Sequence, residues 1–269
     1  MTNVSATPAP ALLENRHGSV ITLVMNRPDR LNALNNDLAT ALNAALGRAA
    51  QDDSVHVVVL TGAGRAFCAG GDLAAIGRGR EAGDVSQLEP ILRAGMAAVL
   101  KMRTMPQPVI AAVNGPAAGA GMNIALAADI RISAEEAVFG QNFAKVGLYP
   151  DYGGTFFLPE LAGPSKAAEL FYTGEMIDAR TALQLGIINH VVPAALLATE
   201  VKALAEKIAQ GPQVAIRGVK RVLFTNQREA LERALEAEVE QQMKCFASED
   251  CLEGIKAFLE KRTPHFQGR

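Results

Sequence analysis

Cysteine is scarce in this 269-residue chain, and its scarcity excludes two kinds of structure. Cys68, Cys245 and Cys251 are too few and too scattered for a disulfide framework or a zinc site, so we expect no metal and a reducing, cytoplasmic location. An excess of basic charge is also missing. With 26 Lys and Arg against 28 Asp and Glu, the formal net charge is −2, which argues against a general nucleic-acid binder.

From the sequence we expect neither export nor insertion into a membrane. Residues 1–10 carry no charged side chain and lack the basic start and apolar run of a signal peptide, so we predict a flexible tail over residues 1–11. Residues 104–128 contain no charge and are long enough to cross a bilayer. However, their prolines, asparagines and glycines predict a buried strand, a turn and a buried helix rather than a membrane span.

The first two thirds of the chain alternate between strand and helix patterns. Runs rich in β-branched residues predict strands at residues 20–24, 55–61, 109–113 and 130–132. Apolar residues at three- and four-residue spacing predict helices over residues 38–49 and 88–102, the first capped by Asn36 or Asp37. Such alternation predicts an α/β fold with a parallel sheet and right-handed crossovers.

The pattern changes after about residue 193, where no strand signal remains. Helices are predicted over residues 196–210, 214–224, 227–245 and 249–259, the last capped by Ser248. The chain is therefore predicted to comprise the tail, an α/β core over residues 12–192 and a helical part over residues 193–269.

Two glycine-rich loops follow predicted buried strands, at residues 61–73 and 114–123. Glycine lets the backbone approach a ligand closely, and a helix that begins after such a loop presents unpaired N–H groups. Both loops lie where α/β sheets bind their ligands, at the carboxyl ends of strands. Taken singly, each loop is weak evidence for a binding site, because a tight turn or close packing is the commoner reason for such glycines.

A third segment, residues 147–155, reads Gly-Leu-Tyr-Pro-Asp-Tyr-Gly-Gly-Thr and by itself predicts only a turn around Asp151. It is the third of three motifs that occur in this order along the chain. The first two are Phe-Cys-Ala-Gly-Gly-Asp-Leu at 67–73 and Asn-Gly-Pro-Ala-Ala-Gly-Ala-Gly at 114–121. Segments 26–34 and 253–262 flank this set. From about residue 12 to its end, the chain strongly resembles the enoyl-CoA hydratase/isomerase (crotonase) superfamily.

The resemblance implies a spiral core of parallel sheets and a site that acts on acyl-CoA thioesters. Two backbone N–H groups, by motif position those of Ala69 and Ala120, would form an oxyanion hole for the thioester carbonyl. The coenzyme A would lie along the first loop, with Arg30 as a partner for its phosphates; the loop residues are Ala69, Gly70, Gly71, Asp72 and Leu73. It is part of the substrate, and no separate cofactor is expected.

The sequence departs from the family's hydratases at the acid–base residues. Those hydratases carry two glutamates, at positions that are Asn123 and Phe143 here, and neither residue can serve as a carboxylate base. Asp151 occupies a position where isomerase-like branches place an acid against the acyl chain. One carboxylate suffices to move a proton between two carbons, so we expect double-bond isomerisation with Asp151 as the proton shuttle. Asn123, Phe143 and Tyr152 are expected to shape the acyl pocket.

Three alternatives stay open at this point. Membership of the superfamily is also compatible with an enoyl-CoA hydratase. If Asp151 acts as a nucleophile, the protein is an aryl-CoA hydrolase or dehalogenase. It is a non-catalytic acyl-CoA binder if the chemistry has been lost.

The segment 147–155 and the chain's last residues look most like the epoxyphenylacetyl-CoA isomerase branch.

The resemblance also implies self-association. Family members form trimers or pairs of trimers through their C-terminal helices, and Phe258 and Lys261 match positions that reach the coenzyme A of a neighbouring subunit.

Overall fold

A computed structural model of the chain describes residues 9–269, so most of the tail predicted at residues 1–11 lies outside the described residues. The described residues form nine β-strands and eleven α-helices. The strands are β1 (Leu12–His17), β2 (Val20–Met25), β3 (Val57–Gly62), β4 (Val109–Val113), β5 (Ala117–Ala118), β6 (Ile130–Ala134), β7 (Val138–Gly140), β8 (Met176–Asp178) and β9 (His190–Val192). The helices are α1 (Asn36–Gln51), α2 (Leu73–Glu81), α3 (Glu89–Thr104), α4 (Ala120–Ala127), α5 (Gly154–Ala162), α6 (Pro164–Thr173), α7 (Ala179–Gln184), α8 (Ala194–Ala209), α9 (Gln213–Thr225), α10 (Arg228–Ala247) and α11 (Glu249–Glu260).

The larger sheet has the strand order β1-β2-β3-β4-β6-β9. Strands β2, β3, β4, β6 and β9 pair in parallel, which confirms the predicted parallel sheet, and β1 adds an antiparallel edge. The apolar runs of β3 and β4 are almost wholly buried, as strands covered on both faces should be. Strand β1 escaped the sequence prediction because most of it is polar and exposed. A smaller sheet has the order β5-β7-β8.

Helix α8 covers one face of the larger sheet, where Leu197 and Val201 pack with Val57, Val59 and Ile110. On the other face, the main core joins the strands to α1, α3, α4 and α10. Phe67 and Ala117, in the segments that follow β3 and β4, belong to the same core.

The four helices predicted after residue 193 are confirmed as α8 to α11. Ser248 caps α11, accepting from the Cys251 N–H at 3.1 Å. For α1 the prediction of Asn36 or Asp37 was wrong, because the Asn35 side chain accepts from the Leu38 N–H at 3.0 Å. Helix α10 is not set apart from the α/β core, since its Leu231, Leu235, Val239 and Phe246 belong to the main core.

Candidate active site

The two glycine-rich loops meet side by side beyond the ends of β3 and β4. Cys68 donates its N–H to the Pro116 carbonyl at 3.1 Å, and Ala118 donates its N–H to the Cys68 carbonyl at 3.0 Å. At Gly70, φ is +99°, and an added Cβ would lie 2.9 Å from the Ala118 carbonyl oxygen. Glycine is therefore required at residue 70 for both its backbone conformation and the contact between the loops.

A small, mainly apolar cavity opens between these loops, the turn at Asp151 and helices α2, α3 and α10. Its wall consists of Leu34, Gly71, Asp72, Ala75, Ile76, Leu88, Ile91, Leu92, Ala120, Phe143, Leu148, Asp151, Tyr152, Gln242 and Phe246. An apolar enclosure with a few convergent polar groups is the usual form of a small-molecule site.

The structure corrects the position of the first predicted oxyanion donor. The Ala69 N–H donates to the Leu31 carbonyl at 3.0 Å, and Ala69 is not part of the cavity wall. Gly71 and Ala120 do line the cavity, and neither of their amides donates a hydrogen bond to another described residue. The unpaired N–H groups are thus those of Gly71 and Ala120.

The cause of this difference lies in the backbone around Gly70. The Asp72 N–H points at the Leu34 carbonyl, 2.9 Å away. Successive amides of extended chain point to opposite sides, so the Gly71 N–H points away from Leu34. The position of a residue in the motif does not by itself show in which direction its N–H points.

Asp151 is buried in the cavity wall, with 7% of its surface exposed. Its Oδ2 accepts from Gln242 Nε2 at 3.1 Å, whereas its Oδ1 is buried and has no hydrogen-bond partner among the described residues. Burial raises the pKa of Asp151 well above its usual value, the Gln242 hydrogen bond opposes this, and the charge of Glu238 adds to it. The cavity wall therefore includes a carboxyl group that has one oxygen engaged by no described residue.

Asn123 stands behind the cavity wall rather than in it, which corrects its predicted role in the acyl pocket. It is fully buried, its Nδ2 donates to the Asp151 carbonyl at 2.7 Å, and its Oδ1 accepts from Gln141 Nε2 at 2.6 Å. Phe143, at the other position where hydratases of the family carry glutamate, does line the cavity.

Tyr152 lies in the cavity wall, as its predicted place in the acyl pocket requires. Its backbone is left-handed, with φ +55°, and its hydroxyl donates to the Ile91 carbonyl at 3.1 Å. The ring packs on Gly95, where an added Cβ would lie 1.7 Å from a ring carbon. Helix α3 thus fixes the residue next to Asp151.

Helix α10 supplies polar residues that the sequence reading missed. Gln242 lines the cavity, and Glu238, one turn earlier, accepts from the N–H groups of Gly153 and Thr155 at 2.7 and 2.9 Å. Burial raises the pKa of Glu238 to about 7, although these hydrogen bonds lower it. A signal existed in the sequence, because both residues fall on the apolar face of a predicted amphipathic helix.

Asp72 organises the mouth of the cavity. Its carboxylate caps α2 by accepting from the Ala75 N–H at 3.2 Å, and it pairs with Arg27 at 2.9 Å. Partial burial acts to raise the pKa of Asp72, but the Arg27 and Ala75 hydrogen bonds outweigh it and the pKa is lowered. Arg27 was not predicted, whereas the predicted Arg30 is exposed on the surface nearby.

The two residues predicted to reach a neighbour's coenzyme A lie at the end of α11. Phe258 is 57% exposed, Lys261 is exposed, and neither lines the cavity of its own chain. Their predicted role toward a second subunit stays a prediction.

Residues 9–269 show neither a cluster of metal ligands nor a helix that could span a membrane. No group of three or more His, Cys, Asp or Glu side chains there is arranged to hold a metal ion. Within the same residues, no helix combines the length and the apolar character needed to cross a membrane.

Comparison with known proteins agrees with this geometry. The family model described as enoyl-CoA hydratase/isomerase matches residues 15–269. A probable enoyl-CoA hydratase of Rhodobacter capsulatus is 42% identical over 252 residues, which cover 93% of this chain and 95% of that protein. The 1,2-epoxyphenylacetyl-CoA isomerase of Escherichia coli is 37% identical over 265 residues, covering 96% and 98%.

Solved structures give the same result. The crystal structure of an enoyl-CoA hydratase from Mycobacterium avium subsp. paratuberculosis superposes with a TM-score of 0.87 at 32% identity, covering 97% of this chain and all of the other. The predicted fold and the resemblance are thereby confirmed. A match that runs from the first strand to the last residue leaves one conclusion, that this chain belongs to the enoyl-CoA hydratase/isomerase family.

Proposed function

We propose that the protein is an enoyl-CoA isomerase in which Asp151 carries a proton between the α- and γ-carbons of the acyl group. The observation that carries this proposal is that Asp151, whose buried Oδ1 has no partner among the described residues, lines one cavity with Gly71 and Ala120, whose amides are unpaired. The names of the family and of its relatives refer to acyl-CoA substrates, which supports an acyl-CoA thioester as the substrate.

The reaction begins with the thioester carbonyl against the Gly71 and Ala120 amides. Asp151 removes a proton from the α-carbon. The electron pair of that C–H bond forms a double bond to the carbonyl carbon, and the π pair of the carbonyl moves onto its oxygen. One such amide donor typically lowers the barrier by about 2.7–4 kcal/mol, because it binds the developing negative charge more strongly than the neutral carbonyl.

In the second step the same carboxyl group returns the proton to the γ-carbon. The negative charge leaves the oxygen as the double bond forms between the α- and β-carbons. The apolar wall keeps water from exchanging with the proton, and burial of Asp151 makes its carboxylate a stronger base than an exposed aspartate.

Hydration is less well supported by the site, although relatives carry hydratase names. Asn123 is engaged with Asp151 and Gln141 through both of its polar atoms, and Phe143 has no group that exchanges a proton. Asp151 is the one carboxyl group near the cavity interior that has an oxygen without a partner in the described residues. Hydration requires one group to activate water and another to protonate carbon, and a single carboxyl group does not supply both.

The coenzyme A is proposed to lie along residues 69–73, with Arg30 near its phosphates and Arg27 holding Asp72 in place. No cofactor beyond the substrate is proposed. The unpaired state of Cys68, Cys245 and Cys251 supports a cytoplasmic location.

A homotrimer or a pair of trimers is proposed as the assembly. Val219, Val222 and Leu223 on α9 are 59–68% exposed, and such an apolar face supports contact with another subunit. Light scattering checks this proposal, and a mass equal to one chain would refute it.

The test is a direct assay with a 3-enoyl-CoA. We expect ultraviolet absorbance of the conjugated 2-enoyl-CoA to appear, and we expect Asp151→Asn to abolish it, whereas Asp178→Asn on the exposed start of α7 leaves it unchanged. Faster addition of water to a 2-enoyl-CoA than isomerisation would show instead that the protein is a hydratase. A covalent ester on Asp151 after incubation with aryl-CoA substrates would favour the nucleophilic alternative.

A further inference from the structure

Helix α10 holds the Asp151 turn through two side chains that are one helical turn apart. Glu238 and Gln242 are each 1% exposed, and both face residues 149–155. They lie about 90 residues downstream of the turn that they contact. Neither has a role in the proton transfer described above.

Gln242 is fixed by the main chain of Tyr149 before it reaches Asp151. Its Oε1 accepts from the Tyr149 N–H at 3.0 Å, and its Nε2 donates to the Tyr149 carbonyl at 2.8 Å. Because rotating the amide by half a turn would break both bonds, Nε2 is held as the group that faces Asp151 Oδ2 at 3.1 Å. One oxygen of Asp151 is thus occupied, and Oδ1 is left without a hydrogen-bond partner among the described residues.

Glu238 acts on the same turn from its other end. Its Oε2 accepts from the Gly153 N–H at 2.7 Å, and its Oε1 accepts from the Thr155 N–H at 2.9 Å and the Thr155 hydroxyl at 2.5 Å. These donors lie at the start of α5, where a negative charge is favoured. Because Glu238 binds the N–H of Gly153, two residues after Asp151, its charge also acts on Asp151 and raises the pKa of that carboxyl group.

Few other ionisable groups face Asp151. Cys68 and Tyr152 are buried near it on the loop after β3 and on the turn itself, and burial raises the pKa of each. Asp72 stands at the cavity mouth and is paired with Arg27. Glu238 is therefore the carboxylate whose charge bears most directly on Asp151.

We propose that Gln242 and Glu238 are positioning residues, with Gln242 selecting Oδ1 of Asp151 as the oxygen that exchanges the proton and Glu238 opposing ionisation of Asp151 through its charge. The inference rests on the proposed function for its chemistry. The arrangement around Asp151 predicts that substitutions of the two residues shift its titration in opposite directions. Removing the Gln242 donor destabilises the Asp151 carboxylate, whereas removing the Glu238 charge stabilises it.

The experiment follows the Asp151 carboxyl directly, without turnover. Protein labelled with ¹³C at aspartate side-chain carboxyl groups is titrated by NMR, and the Asp151 signal is assigned by its loss in Asp151→Asn. We expect the titration midpoint to move up by roughly one pH unit in Gln242→Met and down by a similar amount in Glu238→Gln. The pH at which kcat reaches half of its maximum should follow the same two directions.

Neighbouring residues of α10 provide matched controls. Glu240→Gln removes the same charge from an exposed residue paired with Lys244, and Gln241→Met repeats the other substitution at a partly buried residue. Both should leave the midpoint unchanged. Where Gln242→Met fails to fold, Gln242→Glu keeps the size of the side chain and should also raise the midpoint.

The outcomes separate this inference from the proposed function. Midpoints that stay unchanged, or that move in the same direction in both variants, would overturn the positioning roles even if the protein is an active isomerase. Opposite shifts in a protein that fails to isomerise 3-enoyl-CoA would uphold the arrangement around Asp151 and refute only the reaction.

Discussion

Asn123 holds Asp151 by its main chain, with Nδ2 of Asn123 donating to the Asp151 carbonyl at 2.7 Å. The residue thus supports the carboxyl group that the proposed reaction uses. Gly154 makes this contact possible, since an added Cβ there would lie 2.4 Å from Asn123 Nδ2. At a position where the resemblance implies a glutamate in hydratases, this chain thus has a side chain that binds the main chain of Asp151.

Replacing Asn123 with alanine tests this anchoring role. We expect a loss of about 1–3 kcal/mol in the free energy of unfolding, because Gln141 loses a buried partner and the Asp151 carbonyl loses a donor. The isomerase kcat should fall while KM changes little. Denaturant unfolding and steady-state kinetics measure the two effects, with the exposed Asn36→Ala as the control; an unchanged kcat would contradict the anchoring role.

Ala120→Pro tests one oxyanion donor without breaking a helix. Ala120 is the first residue of α4, a position that tolerates proline, and proline has no N–H to donate. We expect kcat to fall by about 10²–10³. Ala120→Gly keeps the N–H and should retain most of the activity. Equal activity in the proline variant, with circular dichroism confirming the fold, would exclude this amide from the oxyanion hole.

The pH dependence of stability should reveal the buried Asp151. Its pKa is raised on folding, so the folded state binds more protons than the unfolded state, and stability decreases as pH rises from about 4 through the folded-state value. Asp151→Asn removes this contribution. The melting temperature of the variant relative to that of the natural protein should therefore increase with pH, as measured by scanning calorimetry; a constant difference would mean that the carboxyl group is not perturbed.

Lys220 on α9 is expected to anchor the C-terminal helices to the sheet. Its buried ammonium donates to the Met102 and Gln107 carbonyls and pairs with Asp129 at 2.7 Å. Removing one partner of a buried pair costs about 3–5 kcal/mol, and we expect the lower end for Lys220→Met because Asp129 keeps Arg103 at 3.3 Å.

The exposed Lys202, which is 3.8 Å from Glu206, is the matched control for this measurement. Lys202→Met should change the free energy of unfolding by at most about 1 kcal/mol. Similar losses in the two variants would show that Lys220 contributes no more than a surface pair.

The sequence predicted most of the features that short stretches of chain determine, which are strands, helices and contiguous motifs. Four parallel strands and the C-terminal helices followed from apolar periodicity, and Asp151 and Ala120 followed from motifs that stay contiguous in the chain. Strand β1 was missed because its polar residues obscure the alternation.

What the sequence could not predict depends on contacts between distant segments. Gly71 replaces Ala69 as the unpaired amide because the loop pairs with residues 31–34. Gln242 enters the site because α10 packs across the turn at Asp151, and motif matching carries no information about that contact. The salt bridge between Arg27 and Asp72 also joins segments that are distant in the chain, and the sequence did not predict it.

The most direct test of the central claim is to follow the proton itself. A 3-enoyl-CoA deuterated at its α-carbon is isomerised in ordinary water, and the product is analysed by mass spectrometry for deuterium at the γ-carbon. Because one buried carboxyl group removes and returns the proton, we predict that part of the deuterium reaches the γ-carbon and that Asp151→Asn forms no product. Complete loss of the label to water, together with turnover that survives in Asp151→Asn, would contradict a single aspartate as the shuttle.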